Sequence, residues 1–186
     1  MSDGPRIPPV PPEEWGGEIK SILEAVPPGI ERRLGDNNIF PTFARHPELF
    51  RAWLPFGGFL LTAGRLSGRD RELLILRTAV NCGSSYEWGQ HVRISSAGGI
   101  EREVIERVLE GPAAEGWTEH EAALLRAADE LHESSRISDA TWRALAGTYD
   151  TEQLMEATMV VGHYHMVAFA LNSFGVELDQ DLDPLP

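Results

Sequence analysis

Residues 72–91 read ELLILRTAVNCGSSYEWGQH, and the fold turns on how this stretch is read. Leu73, Leu74, Leu76, Ala79 and Val80 recur with helical rather than alternating spacing, and Gly83 closes the run. If a second helix opens at Ser85, Glu87 and His91 fall four apart on one of its faces, and Ser84 joins them at i, i+3, i+7. A carboxylate, an imidazole and a hydroxyl on one face, beside a buried helix carrying Glu72, are the groups that proton transfer needs.

Outward from this stretch the punctuation is that of a helical protein. Ser67 and Asp70 form a capping box, with Asp in the usual Glu position, that opens the helix 69–80. The helix 85–97 ends at Gly98-Gly99, and a short one, 102–109, stops at Gly111-Pro112. Thr118 and Glu121 cap a helix to 133, Ser138 one through Leu145, and Asp150 with Gln153 the longest, to Phe174. Upstream, Pro47 opens a helix to Arg65 that Pro55 should kink, with Gly57 and Gly58 admitting a close neighbour or ligand. A short helix is expected at 13–25, ended by Pro27 and Pro28. Residues 31–46 read as irregular, their Ile39, Phe40 and Phe43 covering the core or a neighbouring subunit. Residues 1–12, MSDGPRIPPVPP, read as a polyproline-like or mobile arm. Nothing alternates with period two for long enough to be a strand. The expectation is an all-α bundle of about eight helices, with 1–30 as arm and short helix and 31–186 as the helical domain. The last helix is apolar nearly all round and should lie at the centre of the bundle or in an oligomer interface.

At 186 residues the chain has the length of one domain with a real core. A net charge of −13 argues against nucleic acid and against anionic membrane surfaces as partners. A single cysteine, Cys82, excludes an intrachain disulfide and fits a reducing cytoplasm. Met1 is followed by neither a basic segment nor an apolar run, so no signal peptide is expected. The stretch 157–176 lacks Asp, Glu, Lys and Arg and approaches bilayer length. Its His163, His165 and Asn172, and its acidic flanks Glu156 and Glu177, make it a buried helix rather than a membrane span.

With these residues placed, the chain resembles the carboxymuconolactone decarboxylase family, the superfamily that includes alkylhydroperoxidase D, over roughly 39–179. The resemblance rests on RDRELLILRTAVNCGSSYEWGQHV (69–92), ADELHESSRISDATWRAL (128–145) and VGHYHMVAFALNSFGVELD (161–179). In its peroxidase members a Glu lies twelve residues before the first Cys of a Cys-x-x-Cys pair, and a His four after the second. Counting from His91, those cysteine positions hold Glu87 and Ser84, and the Glu is Glu72. The resemblance therefore implies an alkylhydroperoxidase D-like helical fold, assembled as dimers, trimers or hexamers, with the Glu72–His91 relay kept and the thiols lost. A Ser and a carboxylate can neither attack peroxide nor resolve a disulfide. Cys82 lies about 200° round a helix from Ser84 and has no cysteine partner.

His91, Glu72 and Glu87 are thus the candidate catalytic residues, with Ser84, Tyr86, Trp88 and His163 as candidate substrate contacts. His91 would move the proton, with Glu87 orienting it. Glu72 is either an acid favoured by the helix N-terminus or a semi-buried carboxylate of raised pKa sharing protons with His91. Ser84 also reads as an N-cap. Arg71 and Arg77 read as structural ion pairs or as binders of a substrate carboxylate. No cofactor or metal is expected, since HExxH, ExxH and Cys sets are all missing. Glu72, Glu87, His91 and His163 are the one set that resembles bundle metal sites. The function expected is lyase- or isomerase-like acid/base chemistry on a small carbonyl or carboxylate compound: decarboxylation, lactone or isomerisation chemistry. The alternative is a non-catalytic helical oligomer that binds a small ligand in the same cleft. Assignment of peroxiredoxin-type activity through the shared domain is disfavoured by the residue chemistry.

Overall fold

The structure is a computed structural model that describes residues 4–24 and 37–186. Nine α-helices follow one another among these residues, after a 3-10 turn at Pro12–Glu14, and none of them is in a strand. They are α1 Gly17–Glu24, α2 Ile39–Phe43, α3 Pro47–Thr62, α4 Gly68–Asn81, α5 Ser85–Ala97, α6 Arg102–Glu110, α7 Glu119–Ser134, α8 Asp139–Ala146 and α9 Thr151–Phe174. The expected stop at Pro27 and Pro28 lies outside the described residues.

The helix starts are set locally. Thr118 and Asp150 each accept from the backbone N–H three residues on, and Glu121 and Gln153 bond back to the cap. At α4 only half of the expected box forms. Ser67 accepts from the Asp70 N–H, but the Asp70 carboxylate accepts from the Tyr149 hydroxyl at 2.7 Å instead. Gly83 adopts φ +58° past the end of α4, a backbone shape that costs glycine nothing.

α4 is the buried axis of the bundle. Leu73, Leu74, Ile75 and Leu76 are fully buried, so its two faces carry separate cores. Leu74 and Ile75 pack with Leu124, Val160, Val161 and Tyr164 of α7 and α9. Leu73 and Leu76 pack with Trp88, Ile105, Val108 and Leu125 of α5, α6 and α7. α9 is long and apolar enough to cross a membrane, yet one side of it fills the first of these cores. Its other side leaves Met155, Met159, Met166 and Phe169 exposed.

Two expectations are corrected. Residues 39–43 are helical rather than irregular; five residues are too few to display a 3.6-residue period. The proline-rich arm is docked rather than free over its described part. Ile7 N–H donates to the Phe174 carbonyl and Val10 N–H to the Pro41 carbonyl, each at 3.0 Å. Arg45 Nε–H donates to the Pro8 carbonyl at 3.0 Å, and Val10 is buried beside Phe50, with Trp15 and Trp53 packed against them. A polyproline segment leaves its carbonyls free, and here outside donors take them. α3 runs through Pro55 without a break.

Candidate active site

The turn from α4 to α5 is three residues long, so the two helices pack on each other and bring Glu72 to His91. His91 Nδ1 lies 2.7 Å from Glu72 Oε2, with both side chains buried. Arg71 Nε–H donates to Glu72 Oε1 at 3.2 Å. Burial alone would raise the Glu72 pKa, but His91 and Arg71 outweigh it and hold the carboxyl below its ordinary value. The raised value considered for Glu72 is therefore corrected, and the carboxylate is ionised. An ionised carboxylate only accepts, so Nδ1 carries the ring hydrogen and Nε2 is the nitrogen left for chemistry. Nε2 has no hydrogen-bond partner among the described residues, and the ring stands edge-on to Tyr164 at 5.0 Å.

His91 forms part of the wall of a cavity of about 350 Å³, with Glu87, Tyr86, His163, Arg71 and Tyr164. That size suits a small organic molecule. Glu87 is the unusual member. It is buried, and neither carboxyl oxygen has a hydrogen-bond partner among the described residues. Burial pushes its pKa well above the ordinary value, so it keeps its proton where other glutamates have lost theirs.

His163 faces the cavity from α9, its ring parallel to that of Trp53 at 6.0 Å. Burial lowers its pKa to about 4, which leaves the ring neutral. A Cβ at Gly57 would stand 3.1 Å from His163 Nε2, so Gly57 gives the ring its room. Tyr86 lines the cavity with its ring, while its hydroxyl donates to Asp179 at 2.9 Å.

The remaining expected contacts fall elsewhere. Trp88 turns from the cavity into the core of Leu73 and Ile105, since adjacent helix residues point about 100° apart. Ser84 is fully buried at the N-cap of α5 without making the cap bond, and the cavity wall does not include it. Arg77 is structural: it forks onto Asp129 at 2.6 and 3.0 Å. Glu72, Glu87, His91 and His163 do not assemble as metal ligands. Among the described residues, the group of three or more whose ligand atoms all lie within 4.8 Å of one another is Cys82, His132 and His165.

Sequence reasoning passed over Trp53, Asn37 and Tyr164, all on the wall. The Trp53 indole N–H and the Asn37 side-chain oxygen are buried with no partner among the described residues. Tyr164 could have been suspected from its place between two histidines. Nothing in the sequence separates Trp53 from an ordinary core aromatic.

The fold and site together define a helical bundle with a buried acid–imidazole pair beside a small pocket. The model of the carboxymuconolactone decarboxylase family matches residues 47–130, which span α3 to most of α7, including the pair. That stretch, less than half of the chain, is similar to the carboxymuconolactone decarboxylase family. Among solved structures it is similar to the debrominase Bmp8 bound to 2,3,4-tribromopyrrole, with a TM-score of 0.80, 14% identity, and 97% of this chain and 95% of that one covered. A peroxidase-related protein from Silicibacter sp. TM1040 gives 0.80 at 15% identity, covering 97% of this chain and 96% of that one. An alkylhydroperoxidase AhpD core protein from Ralstonia eutropha JMP134 gives 0.72 at 20% identity, covering 86% and 90%. Likeness at such identities speaks to the fold alone. No curated protein matches the chain by sequence.

Proposed function

We propose that this chain is a general acid/base enzyme acting on a small, largely apolar carbonyl or carboxylate compound, by decarboxylation, lactone or isomerisation chemistry. The observation that carries this reading is His91, held by Glu72, on the same cavity wall as the buried and unpartnered Glu87. His91 Nε2 takes a proton from carbon next to the substrate carbonyl, and Glu72 stabilises the imidazolium that forms. Glu87 donates to the carbonyl oxygen, where negative charge develops. Returning the proton to a different carbon completes an isomerisation; in a decarboxylation the bond to the carboxylate breaks instead, CO2 leaves, Glu87 bonds the enolate oxygen that forms, and the imidazolium form of His91 delivers a proton to the carbon. Arg71, on the same wall, suits a substrate carboxylate.

Proton abstraction can be read without knowing the product. Small ketones, lactones and oxo acids are incubated with the protein in D2O, and deuterium entering the carbon next to the carbonyl is followed by NMR. The proposal expects exchange with at least one compound that binds the cavity. Binding without exchange across the series would favour the non-catalytic ligand binder.

Thiol peroxidase chemistry is disfavoured by the residues. Ser84 and Glu87 stand at the thiol positions, and burial pushes the Cys82 thiol up to about 11, which leaves little thiolate at neutral pH. With a dithiol reductant present, alkyl hydroperoxide should disappear no faster than background. Rapid consumption that thiol alkylation abolishes would overturn this.

The chain is further proposed to act in the cytoplasm as a homo-oligomer. In support, Met155, Met159, Met166 and Phe169, at successive spacings of four, seven and three residues, stand exposed on the open side of α9. Sedimentation at micromolar concentration should give a multiple of 20.6 kDa, and M159D should reduce it to the monomer. A wild-type monomer would end this proposal.

A further inference from the structure

Outside the cavity, three elements bring together side chains that neither the fold nor the acid/base site needs. Cys82 caps the C-terminus of α4, His132 sits in the last turn of α7, and His165 is two-thirds along α9. Their ligand atoms all lie within 4.8 Å of one another, and none of the three lines the cavity. We propose that Cys82, His132 and His165 bind a borderline-soft divalent cation, Zn2+, through one thiolate and two imidazoles, with one coordination position open.

The rings are already arranged for this. His165 Nδ1 lies 2.9 Å from the Val161 carbonyl. A carbonyl only accepts, so Nδ1 carries the hydrogen and Nε2 presents a lone pair. This is the outer-partner arrangement that fixes the tautomer of metal-binding histidines. His132 Nδ1 approaches that same Nε2 at 2.9 Å. Zn–N bonds of about 2.0–2.1 Å and a Zn–S bond of about 2.3 Å put tetrahedral donors about 3.3–3.6 Å apart. The two nitrogens, 2.9 Å apart, need only spread slightly, and all three donor atoms already lie within 4.8 Å of one another.

Cys82 is held in place. Its N–H donates to the Thr78 carbonyl and its carbonyl accepts from Asn172 Nδ2–H, each at 2.9 Å. The His132 ring is exposed, so an ion can enter and the proton on Nδ1 can move to Nε2 through solvent. Coordination also displaces the thiol proton to solvent. Thiolate with imidazole suits Zn2+ rather than the oxygen-seeking Mg2+ or Ca2+. This proposal departs from the expectation that no metal binds, at residues other than those first considered.

The test uses the full chain, stripped with chelator and titrated with Co2+, which substitutes for Zn2+ and reports its ligands. One equivalent should bind with a thiolate-to-cobalt charge-transfer band, and Zn2+ should displace it. C82S should abolish the band. H165A should weaken Zn2+ binding by more than about 100-fold, the upper end of what loss of an outer partner costs. H132Q, at an exposed position, serves as the second ligand variant if circular dichroism shows H165A misfolded. Bound Zn2+ should raise the Tm of the wild type and not that of C82S. Absence of the charge-transfer band in the wild type, or binding that survives C82S and H132Q undiminished, would overturn the assignment.

Discussion

His91→Gln is expected to lower the rate of deuterium exchange by about 10²–10⁴-fold, the range that a positioned proton acceptor supplies, while leaving the fold intact. Glutamine keeps an N–H that can donate to Glu72, so the buried carboxylate is not stranded. His91→Ala removes that donor and leaves Glu72 with Arg71 alone. Breaking a buried pair by deleting one partner costs about 3–5 kcal/mol, so the alanine variant should also show a large fall in urea midpoint. Comparing the two separates chemistry from support. Exchange that persists in a folded H91Q protein would remove His91 as the proton acceptor.

Glu87→Gln is expected to make the protein more stable at neutral and alkaline pH, and increasingly so as pH rises. The sign follows from the proton. The unfolded chain releases the Glu87 proton near the ordinary value of 4.5, whereas burial makes the folded state hold it well above that. Above 4.5 the folded state binds the extra proton, so its stability falls as pH rises, by about 1.4 kcal/mol per pH unit until the folded group also ionises. Glutamine is neutral throughout and removes this slope. Against a total stability of about 5–15 kcal/mol, two such units are a large share. Urea unfolding of both proteins at pH 5, 6, 7 and 8 gives the comparison. Parallel pH dependences would show that the carboxyl is not held neutral. The same substitution removes the proposed proton donor, so E87Q should gain stability while losing exchange rate. Such opposed effects mark a group kept at a cost to the fold.

The proposed roles rest on contrasting surroundings for two buried acids. Glu72 has His91 and Arg71 against it and is ionised; Glu87 has no partner among the described residues and is neutral. Carboxyl groups pushed in opposite directions by their neighbours are what acid/base division of labour requires. Spacing predicts that Glu87 and His91 share a helical face, and the resemblance implies that Glu72 joins them. Neither predicts the protonation states, because those depend on how His91 and Arg71 meet Glu72 and on how packing buries Glu87.

The amino-acid sequence by itself determined the longer helices, since their signals lie within a few residues of each boundary. Thr118 with Glu121, and Asp150 with Gln153, close their capping boxes as read, and Gly83 turns the chain where α4 stops. It also determined that Glu87 and His91 lie on one face, a consequence of the helical repeat alone. Tertiary structure decided what those side chains meet. Val10 finds Pro41, Trp53 finds His163, and Cys82 finds His132 and His165 across separations of tens of residues. Docking of the arm and the isolation of Glu87 both follow from packing between distant segments. Local propensity carries no information about such packing, because the partner that satisfies or deprives a buried group is set only when the helices close on one another.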